Sequence, residues 1–116
     1  MAITVATTRQ ALADRYAQLG TWVGVTTNTP GAGPAVSNEA TGGSPAYARK
    51  QTTWSSGTGG VVTGTAVTID VAAGTYTHGI LCSAATGSTL IDVSDFTNIT
   101  LAVQGQIVCT PQYTQS

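Results

Sequence analysis

Val61 to Ser83 reads VVTGTAVTIDVAAGTYTHGILCS, and the alternation in this stretch decides the fold. Val67, Ile69 and Val71 fall on one face of an extended chain and Thr68 and Asp70 on the other, the period of two that a half-buried strand requires. The spacing predicts one long strand over Val61–Val71 and a turn at Ala72–Thr75. A return strand over Tyr76–Ser83 follows, with Tyr76, His78, Ile80 and Cys82 on one face and Thr77, Gly79 and Leu81 on the other. Beyond it, AATGS at 84–88 is a turn, Thr89–Val93 a short strand, and Ser94–Thr97 a corner. Ile99, Leu101 and Val103 alternate with polar or small residues, Gly105 suits a bulge, and Gln106–Cys109 continues or turns back. Thr110–Ser116 reads as a polar tail.

Upstream, Thr21–Thr27 alternates, and NTPGAGPAVS at 28–37 is a loop by composition, because its prolines and glycines preclude a ladder. Ala2–Val5 is a short edge strand or an extended arm. Between that arm and Thr21 the period changes to that of a helix. Thr7 or Thr8 is placed to cap a helix running through Leu19, with Gly20 just past its end. Leu12, Tyr16 and Leu19 mark its apolar face, while Arg9, Asp14 and Gln18 face water or a partner. Several short strands separated by turns, after one helix and without crossover helices, predict a mainly β chain. Its class is an antiparallel β-sandwich or jelly-roll-like barrel with one short N-terminal helix. The 116 residues make a single domain: an N-terminal arm and helix over 1–20, a β-sandwich over 21–110, and the tail over 111–116.

Charged residues are only 8% of the chain and the formal net charge is −1, so much of the surface is uncharged Thr, Ser, Gly and Gln. Such a surface favours a protein that assembles over one that stays free in solution. Four Lys and Arg in all argue against nucleic acid as a partner. No apolar run reaches the roughly 20 residues of a membrane span, and no basic-then-apolar leader opens the sequence, so synthesis and retention in the cytoplasm are expected. Cys82 and Cys109 read as small buried hydrophobes, and a reducing compartment argues against pairing them.

Little in the sequence suggests catalysis. His78 is the one histidine and has no triad or metal-ligand spacing around it. Asp92 and Asp95 suit turn capping better than a paired-carboxylate or Ca²⁺ site. No cofactor is expected. The densest stretch is Asn38–Trp54, NEATGGSPAYARKQTTW, where Gly42 and Gly43 supply positive φ, Pro45 follows, and Ala46–Arg49 alternates as an extended strand does. With so few charges, Arg49 needs a carboxylate partner, and Glu39 is the candidate, within the chain or across a subunit boundary. Tyr47, Trp54 and Trp22 are conceivable as a sugar platform, but the two tryptophans suit core anchoring better. Arg9, Tyr16, Glu39, Tyr47, Arg49 and Trp54 are the candidate interface residues.

Asn38–Arg49, the following Thr53-Trp54, and AVTIDVAAGTYTHGILCSAATGSTLI at 66–91 resemble small β-domain virion proteins of tailed bacteriophages, with the pattern NE-x-x-GG-x-PAY-x-R, then Trp, a V-x-AGT turn and an A-x-TG-x-T hairpin. The likeness covers about half the chain. It implies a structural virion protein without enzymatic activity: a capsid decoration or minor capsid protein, bound to the major capsid protein and to copies of itself as a trimer or other symmetric cluster. The segment Met1–Gly20 is the expected docking part. The alternative is a tail-tip or fibre-associated module that binds a host glycan or receptor through the loops at 29–37 or 55–60.

Overall fold

A computed structural model describes residues 2–116 and is mainly β, with one short helix and antiparallel sheets in a sandwich-like arrangement. The elements in chain order are α1 (Ala6–Leu19), β1 (Trp22–Thr26), β2 (Lys50–Gln51), β3 (Trp54–Ser56), β4 (Val61–Gly64), β5 (Val67–Val71), β6 (Gly74–Cys82), β7 (Leu90–Leu101), β8 (Gly105–Cys109) and β9 (Gln112–Thr114). They form a four-stranded sheet, β2-β1-β6-β7, a three-stranded sheet, β3-β4-β9, and a β5-β8 ribbon, and every pairing is antiparallel. The core lies between the first sheet and the ribbon, where Val23, Val25, Tyr76 and Leu81 meet Val67, Ile69, Val71 and Ile107. Ile69, Val71 and Val25 have no exposed surface at all, and full burial of such side chains is worth about 1.5–3 kcal/mol each.

The alternation over Val67–Val71 holds, with Val67, Ile69 and Val71 buried as expected. The strand around it is shorter than expected. Val61–Val71 breaks at Thr65-Ala66, because Thr65 bonds sideways to the segment before β3. Its N–H donates to the Thr53 carbonyl (3.0 Å), and its carbonyl accepts from the Thr52 hydroxyl (2.8 Å). β4 and β5 therefore enter different sheets. Nor does β6 return along β5. Both edges of β6 are taken, by β1 and β7, so β5 finds its partner in β8.

A register shift between Tyr76 and His78 breaks the expected single face of Tyr76, His78, Ile80 and Cys82. The bulge flips the phase, so Tyr76 joins Leu81 in the core while Ile80 lies on the opposite face beside Gly24. In place of the corner expected at 94–97, β7 runs on for 12 residues as an edge of the first sheet, with the extra residues of the bulge lying between Asp95 and Ile99. Residues 110–116 are not a free tail: β9 pairs with β4, matching Val62 with Tyr113.

The helix begins two or three residues earlier than the threonines suggested. Val5 is its N-cap, no side chain caps it, and Gly20 is extended at φ −166°, so no left-handed C-cap is formed. Its buried anchor is Ala13, and Leu12 and Leu19 are turned outward at 43% and 40% exposure. The reason is the surface that receives it. α1 lies across β3, β4 and β9, and its first turns meet the backbone of the β3–β4 turn. Gln10 accepts at Oε1 from the N–H groups of Gly60 (2.9 Å) and Val61 (3.1 Å) and donates to the Val61 carbonyl (2.9 Å). Arg9 donates to the Gly59 carbonyl (2.8 Å) and reaches back to Ile3 (2.6 Å) and Thr4 (2.9 Å), tying down the extended arm. Asp14 accepts from the Ser56 hydroxyl at 2.7 Å.

Candidate functional site

The stretch from Asn38 to Arg49 covers the outer face of β1. Asn38 takes the left-handed conformation (φ 59°), and the Thr26–Glu39 bridge extends pairing along the β1 edge beyond the short β2. Gly42 and Gly43 supply positive φ as expected (78° and 94°), after which residues 43–46 form turns. The strand expected at Ala46–Arg49 is missing, and extended pairing starts only at Lys50. Turning the chain there lets Tyr47 lie over Gly24, where any Cβ would collide with its hydroxyl. That hydroxyl accepts from the Val25 N–H (3.3 Å) and donates to Glu39 Oε2 (2.8 Å). It thus partners a backbone donor that neither β2 nor the Glu39 bridge reaches.

Arg49, 5% exposed, is the hub. Its Nε and Nη2 fork onto the two carboxylate oxygens of Glu39 at 2.7 and 2.9 Å. Nη1 donates to the Ala84 carbonyl (3.0 Å) and the Thr89 hydroxyl (3.1 Å), and the second Nη2 hydrogen reaches the Gly87 carbonyl (3.0 Å). All five guanidinium hydrogens are used, which is the only way to bury this group without leaving an orphan donor. The cluster joins the NE-x-x-GG-x-PAY-x-R stretch to the turn between β6 and β7, so the two motifs quoted from the sequence are halves of one hydrogen-bonded staple. Sequence reasoning chose Glu39 for Arg49 and missed the turn. The presence of both motifs in one pattern was the available signal.

The staple sets a pH dependence. Burial pushes the Glu39 carboxyl up, but the bonds from Arg49 and Tyr47 outweigh it and hold the group below its ordinary value of 4.5. The ionised form therefore contributes its stability in full above about pH 4.5 and loses it as the pH falls through the depressed folded value. Denaturant midpoints measured from pH 7 down to 3 should fall in that acidic window, and Glu39→Gln should flatten this part of the curve while lowering the neutral plateau. A curve of unchanged shape in the variant would assign the acid loss elsewhere. Burial also pushes the Tyr47 phenol up, as does its bond to Glu39, so it stays a donor.

Of the other candidates, Tyr16 and Trp54 pack against the core on the inner face of the first sheet, and Arg9 lies apart, against the turn between β3 and β4. Tyr16 stacks on Tyr113 (centroids 3.8 Å apart, 9° between planes) and meets Trp54 edge-on at 6.0 Å. Its hydroxyl donates to Asp92 at 2.7 Å, and the Trp54 indole donates to the Gly20 carbonyl at 2.9 Å. Trp54 thus anchors the helix end against the core, and no platform unites it with Tyr47. Tyr113 was overlooked because its segment reads as a tail. Arg9, Tyr16, Glu39, Tyr47, Arg49 and Trp54 all have partners within the chain.

His78 sits beside Thr77, with Nδ1 2.7 Å from its hydroxyl, and its Nε2 lies 3.9 Å from Asp95. Asp92 turns the other way, to Tyr16, so the two aspartates do not converge. No group of three His, Cys, Asp or Glu side chains with metal-site geometry occurs among the described residues. Cys82 and Cys109 are free, and burial pushes both thiols up, leaving them poor nucleophiles. Comparisons with protein-family models, with curated proteins and with solved structures return no match.

Proposed function

We propose that this chain is a structural protein of a tailed-phage virion, a decoration or minor capsid protein that binds the major capsid lattice and copies of itself. The observation that carries the reading is the outer flank of α1. Val5, Leu12 and Leu19 recur every seven residues at 57%, 43% and 40% exposure, and Ile91 stands against Gly20 where that stripe ends. An apolar stripe on a sparsely charged surface suits a protein that completes its burial against a larger assembly. The polar motif residues, by contrast, are held in the internal staple. The quoted resemblance supplies the virion context, and the helix is the docking element that the reading requires.

The test is cryo-EM of purified phage particles carrying this protein, parent against Leu12→Glu/Leu19→Glu. Both side chains are solvent-exposed, so the isolated double variant should keep its stability within about 1 kcal/mol of the parent. Density for the parent repeating over the capsid, with α1 against the shell, and its loss in the double variant is the expected result. Density confined to the tail would replace the capsid reading with receptor binding. Absence of the parent from the particle would remove both.

A further inference from the structure

The core of this protein is mostly Val, Ile and Leu, with Tyr76 its one fully buried aromatic, whereas four of its seven aromatic residues, Tyr16, Trp54, Phe96 and Tyr113, line a single open cleft and are only half-buried. The cleft is about 410 Å³ and lies between the inner face of β6–β7 and the β8–β9 connection. Its existence follows from the pairing. β7 is the edge of the first sheet, and across the cleft from it stand Cys109 at the end of β8 and the β8–β9 connection. Asp92 and Ser94 pair with Leu81 and Gly79 and so share their inward face, uncovered. Gly79 has no side chain to fill the space beside Phe96, whose ring lies 3.7 Å from where its Cβ would stand.

The lining selects the ligand by chemistry. No Lys, Arg or His lines the cleft and Asp92 does, which excludes phosphate and other anions. A cation would want an enclosed, free carboxylate, but Asp92 is exposed and already accepts from Tyr16 and from its own neighbour's N–H, that of Val93 (2.8 Å). A wholly apolar ligand would leave Ser94, Thr110 and Gln112 unmatched. Half-buried aromatic rings in one lining with exposed hydroxyls, an amide and a carboxylate already bonded by Tyr16, offering both donors and acceptors, match a ring with an apolar face and hydroxyl edges. The geometry points to a binding site for one neutral pyranose unit of a glycan, in the body of the domain and away from the loops at 29–37.

The test is ¹H–¹⁵N NMR of the isolated protein titrated with the methyl glycosides of glucose, galactose, mannose and N-acetylglucosamine, with tetramethylammonium chloride and inorganic phosphate as controls. At least one glycoside should give saturable shifts confined to Tyr16, Ser94, Phe96, Gln112 and Tyr113. Gln112→Ala, which removes an exposed amide, should weaken it about tenfold. Ser94→Leu, which fills the cleft from an exposed strand position, should abolish it while leaving the folded spectrum intact. Shifts with no glycoside, shifts elsewhere on the surface, a response to tetramethylammonium alone, or binding indifferent to Ser94→Leu would each overturn the site. Because the isolated protein is used, the outcome is independent of where particles carry it.

Discussion

Replacing Arg49 by alanine should destabilise the protein by about 3–5 kcal/mol, the range seen when one partner of a buried ion pair is removed. That loss is comparable to the whole stability of many domains. Three groups of consequences add together. The Glu39 carboxylate keeps its burial without its counter-charge, and the Ala84 and Gly87 carbonyls and the Thr89 hydroxyl lose their donor. Tyr47, held by the same carboxylate, loses its fixed position over Gly24. Arg49→Lys keeps the charge but not the planar fork, so it should recover only part of the loss. Urea denaturation of the parent, Arg49→Ala, Arg49→Lys and the Glu39→Gln/Arg49→Met pair measures this. The pair should be less damaged than Arg49→Ala alone, because it leaves no unpaired charge behind. Equal midpoints for parent and Arg49→Ala would mean that the staple contributes no stability.

The second large effect is expected at Gly20, where alanine should destabilise by about 3 kcal/mol, the upper end for forced overpacking. A Cβ there would lie 2.6 Å from the Cys82 carbonyl oxygen and 2.9 Å from its carbon. Both are backbone atoms of the central strand β6 and cannot swing aside as a side chain can. The chain must then lift the helix end, which carries the carbonyl that Trp54 binds. The conformation itself asks for no glycine, since φ is −166° and any residue adopts it. The signature is therefore steric: Gly20→Ala should lower the thermal midpoint and shift the Trp54 indole resonance together. A neutral substitution would show that the helix end moves freely.

The strands with a clean period of two were legible in the sequence, and Val67–Val71 is the clearest case. What alternation does not carry is the partner. β5 and β6 are neighbours along the chain and read as a hairpin, yet β6 is flanked on both sides by strands whose claim on it is set by burial across the whole sheet. The bulge at Tyr76–His78 was hidden for a similar reason: β7 advances four residues, from Asp95 to Ile99, while β6 advances two, and such an insertion leaves the local pattern of side chains intact and changes only which face they reach. The helix face was legible only at Tyr16, which packs inward on Tyr113 and Trp54; the leucines were expected to do the same, yet they point outward, and Gln10, Arg9 and Asp14 add polar ties instead. Arg49 with Glu39 was legible from charge scarcity alone. The cleft was not, because its lining comes from six separate stretches of chain.

The pairing scheme also governs when this protein can fold. β1 waits for β6, β5 for β8, and β4 for β9, and each pair is separated by tens of residues. A nascent chain emerging from the ribosome cannot assemble the full strand network until residue 114 is clear, and long-range pairing of this kind is slow because the intervening loops must be closed first. Until then its valine-rich strands stand with open edges. Premature termination before β9 would yield an aggregation-prone chain in place of a smaller domain.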